Sequence, residues 1–232
     1  MVMAEATNHY FKHLGVSDGL SQVCIPSIYQ DELGAVWLGT TEGLNRYNGK
    51  DVKVFQPSES NHGLTNNEIN ELCGDKNGRM YIRSGNDLIK LDIYTEQFTC
   101  LRQKGVYGLF CKKDTLWVSC ADGIYYYTGQ GTELTFFARV QKGFVGRALY
   151  VDKETVWVVT RKYLVAISRE DPLRQEILLT LDKGNCILGD SSGNIWVGAW
   201  NGLYRISPNR ETTAYVSHSG MGELSDNQVR CV

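Results

Sequence analysis

One aromatic position recurs along the chain at a nearly fixed interval: Trp37, Tyr81, Trp117, Trp157 and Trp196, in steps of 44, 36, 40 and 39 residues. A fixed period decides architecture before any local reading does. A step near 40 residues fits a propeller blade and exceeds the roughly 20–34 residues of leucine-rich, ankyrin or tetratricopeptide units. Each aromatic sits in a β-type hexapeptide, such as Ala35-Val36-Trp37-Leu38-Gly39-Thr40 or Asn194-Ile195-Trp196-Val197-Gly198-Ala199. The sequence therefore predicts an all-β chain of about five four-stranded antiparallel blades.

The repeats share an internal order. A first strand ends in Asp31, Asp75 or Asp190, and Gly34, Gly78 or Gly193 follows three residues later. Asp at the start and Gly at the end of a four-residue turn suit one another, because the carboxylate accepts local N–H groups and Gly tolerates positive φ. The aromatic strand comes next. Gly43-Leu44, Gly123-Ile124 and Gly202-Leu203 then open a third strand, and Val52–Phe55, Phe98, Leu134–Phe137 and Thr213–Tyr215 mark a fourth. A single four-stranded blade has two apolar faces and buries neither alone, so blades must stack, with the recurring aromatic as the wedge between them.

Blades are expected at residues 20–57, 64–100, 105–138, 144–180 and 184–217. A lone outer strand is expected over 9–15, around Tyr10-Phe11-Lys12-His13-Leu14, and Glu223–Val232 repeats the lead-in of a blade, placing the start of a sixth at 224–232. On this reading the chain is a piece of a longer array, and its unpaired edges favour self-association.

The net charge of −2 gives no electrostatic argument for nucleic acid or for an anionic membrane surface. No apolar run approaches the roughly 18–20 residues that span a bilayer, and the first residues lack the basic and apolar regions of a signal peptide. The seven cysteines form no CxxC pair. Cys24, Cys73, Cys111, Cys186 and Cys231 each fall on an expected first strand and read as small buried hydrophobes rather than metal ligands or a disulfide framework.

Catalytic signatures are missing from the sequence: it contains no G-x-S-x-G, H-E-x-x-H, phosphate-binding loop or GxGxxG. No cofactor and no metal site are expected. His9, His13, His62 and His218 scatter through ends and loops, and Asp31, Asp75 and Asp190 read as turn residues rather than acids. The variable positions between second and third strands converge on one face of a propeller, where such folds build ligand sites. Trp200 is the sharpest candidate, a second aromatic just beyond Trp196. With Asn201, Arg161, Arg83, Glu42 and Asp122 it offers a stacking face plus polar groups, a set suited to a sugar or another small ligand.

The lead-in Gly-Leu-Ser/Thr, the Asp-x-x-Gly turn, Val36-Trp37-Leu38-Gly39-Thr40 running on to Gly43-Leu44-Asn45-Arg46-Tyr47, and Ile195–Ile206 resemble the two-component regulator propeller repeat. The stretch Phe11–Ser21 resembles the start of the sensor region of hybrid two-component histidine kinases of Bacteroidetes. The resemblance covers nearly the whole chain and is closest in the first and fifth repeats. Asp87 and Tyr163 stand in place of the Gly that opens the third strand in the second and fourth repeats, and the third and fourth lack the Gly of the turn.

That resemblance implies a periplasmic sensor. In the family, propellers of about seven blades precede a transmembrane helix, a kinase, a receiver and a DNA-binding domain. Ligands are typically oligosaccharides, and binding feeds a phosphorelay that regulates glycan-utilisation genes. No membrane contact and no enzymatic activity are then expected of this segment. A protein–protein scaffold and a propeller lyase or glycosidase are the alternative readings.

Overall fold

The computed structural model describes residues 12–57, 63–102, 104–217 and 224–232. Twenty strands form five sheets, each a simple antiparallel meander. The first holds β1 (Ser27–Gln30), β2 (Val36–Thr40), β3 (Gly43–Tyr47) and β4 (Val52–Phe55), the second β5 (Ile69–Gly74), β6 (Arg79–Ser84), β7 (Asp87–Asp92) and β8 (Gln97–Arg102). The third holds β9 (Val106–Lys112), β10 (Thr115–Cys120), β11 (Gly123–Tyr127) and β12 (Thr135–Ala138). The fourth holds β13 (Gly146–Val151), β14 (Thr155–Thr160), β15 (Tyr163–Ser168) and β16 (Gln175–Thr180). The last holds β17 (Cys186–Gly189), β18 (Ile195–Ala199), β19 (Gly202–Ile206) and β20 (Thr212–Tyr215). Each sheet is a propeller blade.

The core is four separate apolar clusters, one at each junction between consecutive blades. Trp37, Leu44 and Phe55 of the first blade pack on Ile69, Met80, Ile82, Ile89 and Leu91 of the second. Tyr81 and Leu88 pack on Leu109, Leu116, Val118 and Tyr127, Trp117 and Ile124 on Leu149, Val156, Val158 and Val165, and Trp157 and Leu164 on Ile195, Val197 and Ile206. Successive strand residues face opposite sides, so one face of each blade serves the preceding junction and the other the next. The recurring aromatic of the first four blades points forward, into the blade that follows, and Trp196 of the fifth stacks on Tyr215 of its own blade.

The inner strands pack in the order β1, β5, β9, β13, β17, and no packing of that extent joins β17 back to β1 among the described residues. The five blades make an arc. Near the axis the strands come so close that a side chain has no room. A Cβ on Gly39 would meet Ile69 Cγ2 at 2.8 Å, and one on Gly198 would meet Val229 Cγ1 at 2.7 Å.

Two terminal expectations change. Residues 9–11 of the expected outer strand lie outside the described residues, and 12–15 are not strand. The C-terminal stretch 224–232 has no strand geometry either. It nevertheless occupies the place of a next inner strand: Val229 covers Gly198 as Ile69 covers Gly39, and its N–H donates to Ala199 O at 2.9 Å. Of the cysteines, Cys24 and Cys231 are exposed and off the strands, and only Cys120 is fully buried.

Burial at the junctions predicts unequal costs for the same substitution. Trp37 is fully buried, whereas Trp196 is half-buried beside Leu188, itself 46% exposed. Trp37→Ala is expected to cost about 3–5 kcal/mol and Trp196→Ala much less, read from urea unfolding midpoints of the two variants.

Candidate functional site

The loops between second and third strands and the loops entering each blade meet on one face, and backbone hydrogen bonds hold them together. Gly43 N–H donates to Asn67 O at 2.8 Å, Gly85 to Glu68 O at 2.7 Å, Ala121 to Gly105 O at 2.8 Å and Gly184 to Arg161 O at 3.1 Å. The Gly43–Asn67 and Gly184–Arg161 bonds join a turn of one blade to the lead-in of the next, and the Gly85–Glu68 and Ala121–Gly105 bonds tie a turn to the lead-in of its own blade. The face is therefore a continuous, ordered surface, although it is built entirely of loops.

Between the fourth and fifth blades this face opens into a cleft of about 270 Å³, lined by Arg147, Arg161, Lys183, Gly184, Asn185 and Trp200. The turn that carries Lys183 is held from both sides. Leu181 N–H donates to Lys162 O at 2.7 Å, Trp200 N–H donates to Asp182 O at 2.8 Å, and Asn201 Oδ1 accepts from Asp182 N–H at 3.0 Å. These bonds hold Lys183 at φ 48°, a left-handed conformation that costs a non-glycine residue about 1–2 kcal/mol. Its Nζ lies 3.4 Å from the centroid of the Trp200 ring, a cation–π contact.

Of the candidates read from sequence, the fold brings Arg161 and Trp200 into this one cleft, with Asn201 bracing it from behind. The others stand on separate blades in pairs of their own. Arg83 Nε donates to Glu71 Oε2 at 3.3 Å in the second blade. Asp122, on the third, accepts from Arg102 Nη2 at 2.7 Å and from the Tyr125 hydroxyl at 2.9 Å. Burial pushes the Asp122 carboxyl up, and these two hydrogen bonds outweigh it and hold the group below the usual carboxylate range. Glu42 sits exposed in the β2–β3 turn, its backbone carbonyl accepting from Gln56 Nε2. Arg147 and Lys183 were not singled out by sequence. The signal for Lys183 is a Lys-Gly pair recurring in three successive lead-ins, at 104–105, 142–143 and 183–184, with φ of 63°, 57° and 48° at the three lysines.

The turn aspartates do structural work on the opposite face. Asp31 Oδ1 accepts from the N–H groups of Leu33 and Ala35, and Oδ2 accepts the Trp37 indole N–H at 2.8 Å. Asp190 does the same for Ser192, Asn194 and Trp196, and the bonds from the Trp196 indole and the Asn194 amide hold its carboxyl down at about 2. Asp152, which lacks the Gly that marks the others, makes the equivalent bond to Trp157 at 2.6 Å.

Comparison with known proteins places this architecture. Residues 19–42 match the two-component regulator propeller family. A 53-residue stretch is 40% identical to a histidine kinase of Formosa agariphila, spanning 23% of this chain and 4% of the kinase. The fold is similar to the extracellular domain of a putative hybrid two-component system of Bacteroides thetaiotaomicron, with a TM-score of 0.76 at 23% identity over 93% of this chain and 33% of that one. It is also similar to that of a putative one-component system of the same organism, with a TM-score of 0.73 at 20% identity over 92% and 33%. The chain thus spans about a third of these two Bacteroides structures, and its match to the two-component regulator propeller repeat lies at residues 19–42.

The Glu71–Arg83 pair predicts a pH dependence. Burial pushes the Glu71 carboxyl up to about 7, against the opposing pull of Arg83 and a hydrogen bond from the Leu109 backbone. Between its ordinary value of 4.5 and about 7 the folded chain holds a proton that the unfolded chain releases. This group's contribution to stability is therefore largest at low pH and is lost as pH rises through 7. Glu71→Gln is expected to remove that slope, read as the difference between the two proteins' unfolding midpoints from pH 5 to 8.

Proposed function

We propose that this chain is part of the extracytoplasmic, periplasmic sensor region of a hybrid two-component histidine kinase, and that its loop face takes an oligosaccharide. The match of residues 19–42 to the two-component regulator propeller carries the sensor reading. The similarity in fold to the extracellular domains of Bacteroides two-component proteins supports it. In this reading the chain does no chemistry. It offers a surface whose occupancy is relayed to a kinase elsewhere in the protein, and the relay ends in regulation of glycan-utilisation genes.

The ligand half of the proposal rests on the cleft between the fourth and fifth blades. Trp200 is 38% exposed there and stands beside Arg161 and Asn185. An exposed indole next to hydrogen-bond donors suits a sugar ring, whose apolar C–H face packs on the aromatic surface that Lys183 leaves uncovered and whose rim is polar. The cleft is shallow, so it fits one or two sugar units of a longer chain rather than an engulfed ligand.

The test is a thermal-shift and calorimetry panel of neutral and acidic oligosaccharides from plant and algal polysaccharides. At least one is expected to bind, and Trp200→Ala is expected to weaken it about tenfold, the loss of one stacked ring. If no oligosaccharide in the panel binds while a protein partner is captured specifically, the face is a scaffold and the sugar reading is wrong.

A further inference from the structure

The charge on the loop face is not evenly spread. On the first three blades, the turns and lead-ins carry the carboxylates Glu42, Glu68, Glu71, Asp87 and Asp122. From Arg139 onward the balance reverses. Arg139, Lys142, Arg147, Arg161, Lys162 and Lys183 stand in these loops or at the first residues of the strands they enter, with Asp182 and, in the C-terminal lead-in, Asp226 as the carboxylates among the described residues. Two of these five carboxylates are paired, Glu71 with Arg83 and Asp122 with Arg102, and Lys104 stands in the lead-in to β9 on the same side.

The three cations of the cleft have no such partner. Among the described residues no carboxylate forms an ion pair with Arg147, Arg161 or Lys183. Asp182, the sequence neighbour of Lys183, makes no ion pair with it or with either arginine. Three unpaired like charges around one small cleft repel one another and raise the local potential. Lys183 moreover covers a face of Trp200 at 3.4 Å, so that ring face is not free for a neutral sugar. The turn spends backbone strain to put an ammonium in this spot.

We propose that the cleft selects an anionic sugar unit, one that bears a carboxylate or a sulfate ester. The proposal builds on the oligosaccharide reading above and narrows its ligand class. Arg161 and Arg147 present planar guanidinium groups suited to two-point contact with a carboxylate or sulfate. Lys183, fixed over Trp200, supplies the third positive charge. The anion relieves the repulsion among the three cations, so binding weakens as salt screens the attraction.

The experiment measures calorimetric binding of three probes: an oligogalacturonate, the same oligomer as its methyl ester, and a sulfated oligosaccharide cut from carrageenan. Two variants are compared with the parent chain, Arg147→Gln/Arg161→Gln/Lys183→Gln in the cleft and Lys50→Gln at the β3–β4 turn on the opposite face. The uronate, the sulfated probe or both are expected to bind, and which one does separates the two sources of negative charge. The cleft variant is expected to lose affinity by at least about tenfold, with Lys50→Gln unchanged and with affinity falling as salt rises from about 50 to 500 mM. Equal binding of the methyl ester and the free acid overturns the anionic assignment and leaves the oligosaccharide reading intact. Anion binding that survives in the cleft variant also overturns it, by moving the site elsewhere. A chain that binds no probe, and no neutral sugar of the wider panel, takes both readings down together.

Discussion

A carboxylate bonded at once to a turn and to an indole is the interaction on which the remaining architecture depends. Asp31, Asp152 and Asp190 each use one oxygen to accept backbone N–H groups of the turn and the other to accept the N–H of Trp37, Trp157 or Trp196. The turn thereby fixes where the hairpin reverses, and the indole bond fixes which way the large ring lies. Without that second bond a buried indole N–H would go unpaired, at a cost of about 1–3 kcal/mol. With it, the rings of Trp37 and Trp157 are aimed at the next blade and their polar atoms are satisfied inside an apolar junction. In the second blade Tyr81 replaces Trp, and Asp75 pairs with Arg79 instead.

That division of labour explains why the two faces of the arc differ in character. The turns that hold the wedges are saturated by their own local bonds and leave few polar groups for a ligand. The turns on the other face bond backbone to backbone with lead-ins of their own and of the next blade, and so release their side chains. Arg161, Lys183 and Trp200 are free to form a cleft because Gly184, Leu181 and Asp182 carry the structural bonds for them.

Much of this was legible in the sequence, for a physical reason. The blade count, the strand order and the turn role of Asp31, Asp75 and Asp190 follow from chemistry acting within a few residues, and such chemistry leaves a local pattern. Asp152 escaped because Thr155 stands where a turn Gly would have marked it. The cleft was only half visible. Trp200 and Arg161 occupy corresponding turns of adjacent blades, so the period pointed to both. Arg147 and Lys183 reach the same spot from two separate lead-ins, and their convergence is set by how blades stack, which no periodicity encodes. The expected strand does not form over 12–15, since a short stretch such as Lys12-His13-Leu14 becomes a strand only against a neighbour.

The forward aim of the first four wedges gives the array a direction in time. A blade leaving the ribosome presents its aromatic face before the blade that will cover it exists, and each new blade condenses on a surface already in place. Val229 rests on Gly198 next to the Trp196–Tyr215 stack as Ile69 rests on Gly39 next to the Trp37–Phe55 stack. Blades emerge in order from the N-terminal end during synthesis, and because each packs only on its neighbours the array's stability is approximately a sum of blade and junction terms. A fault in one blade is therefore felt first at the two junctions it shares with its neighbours.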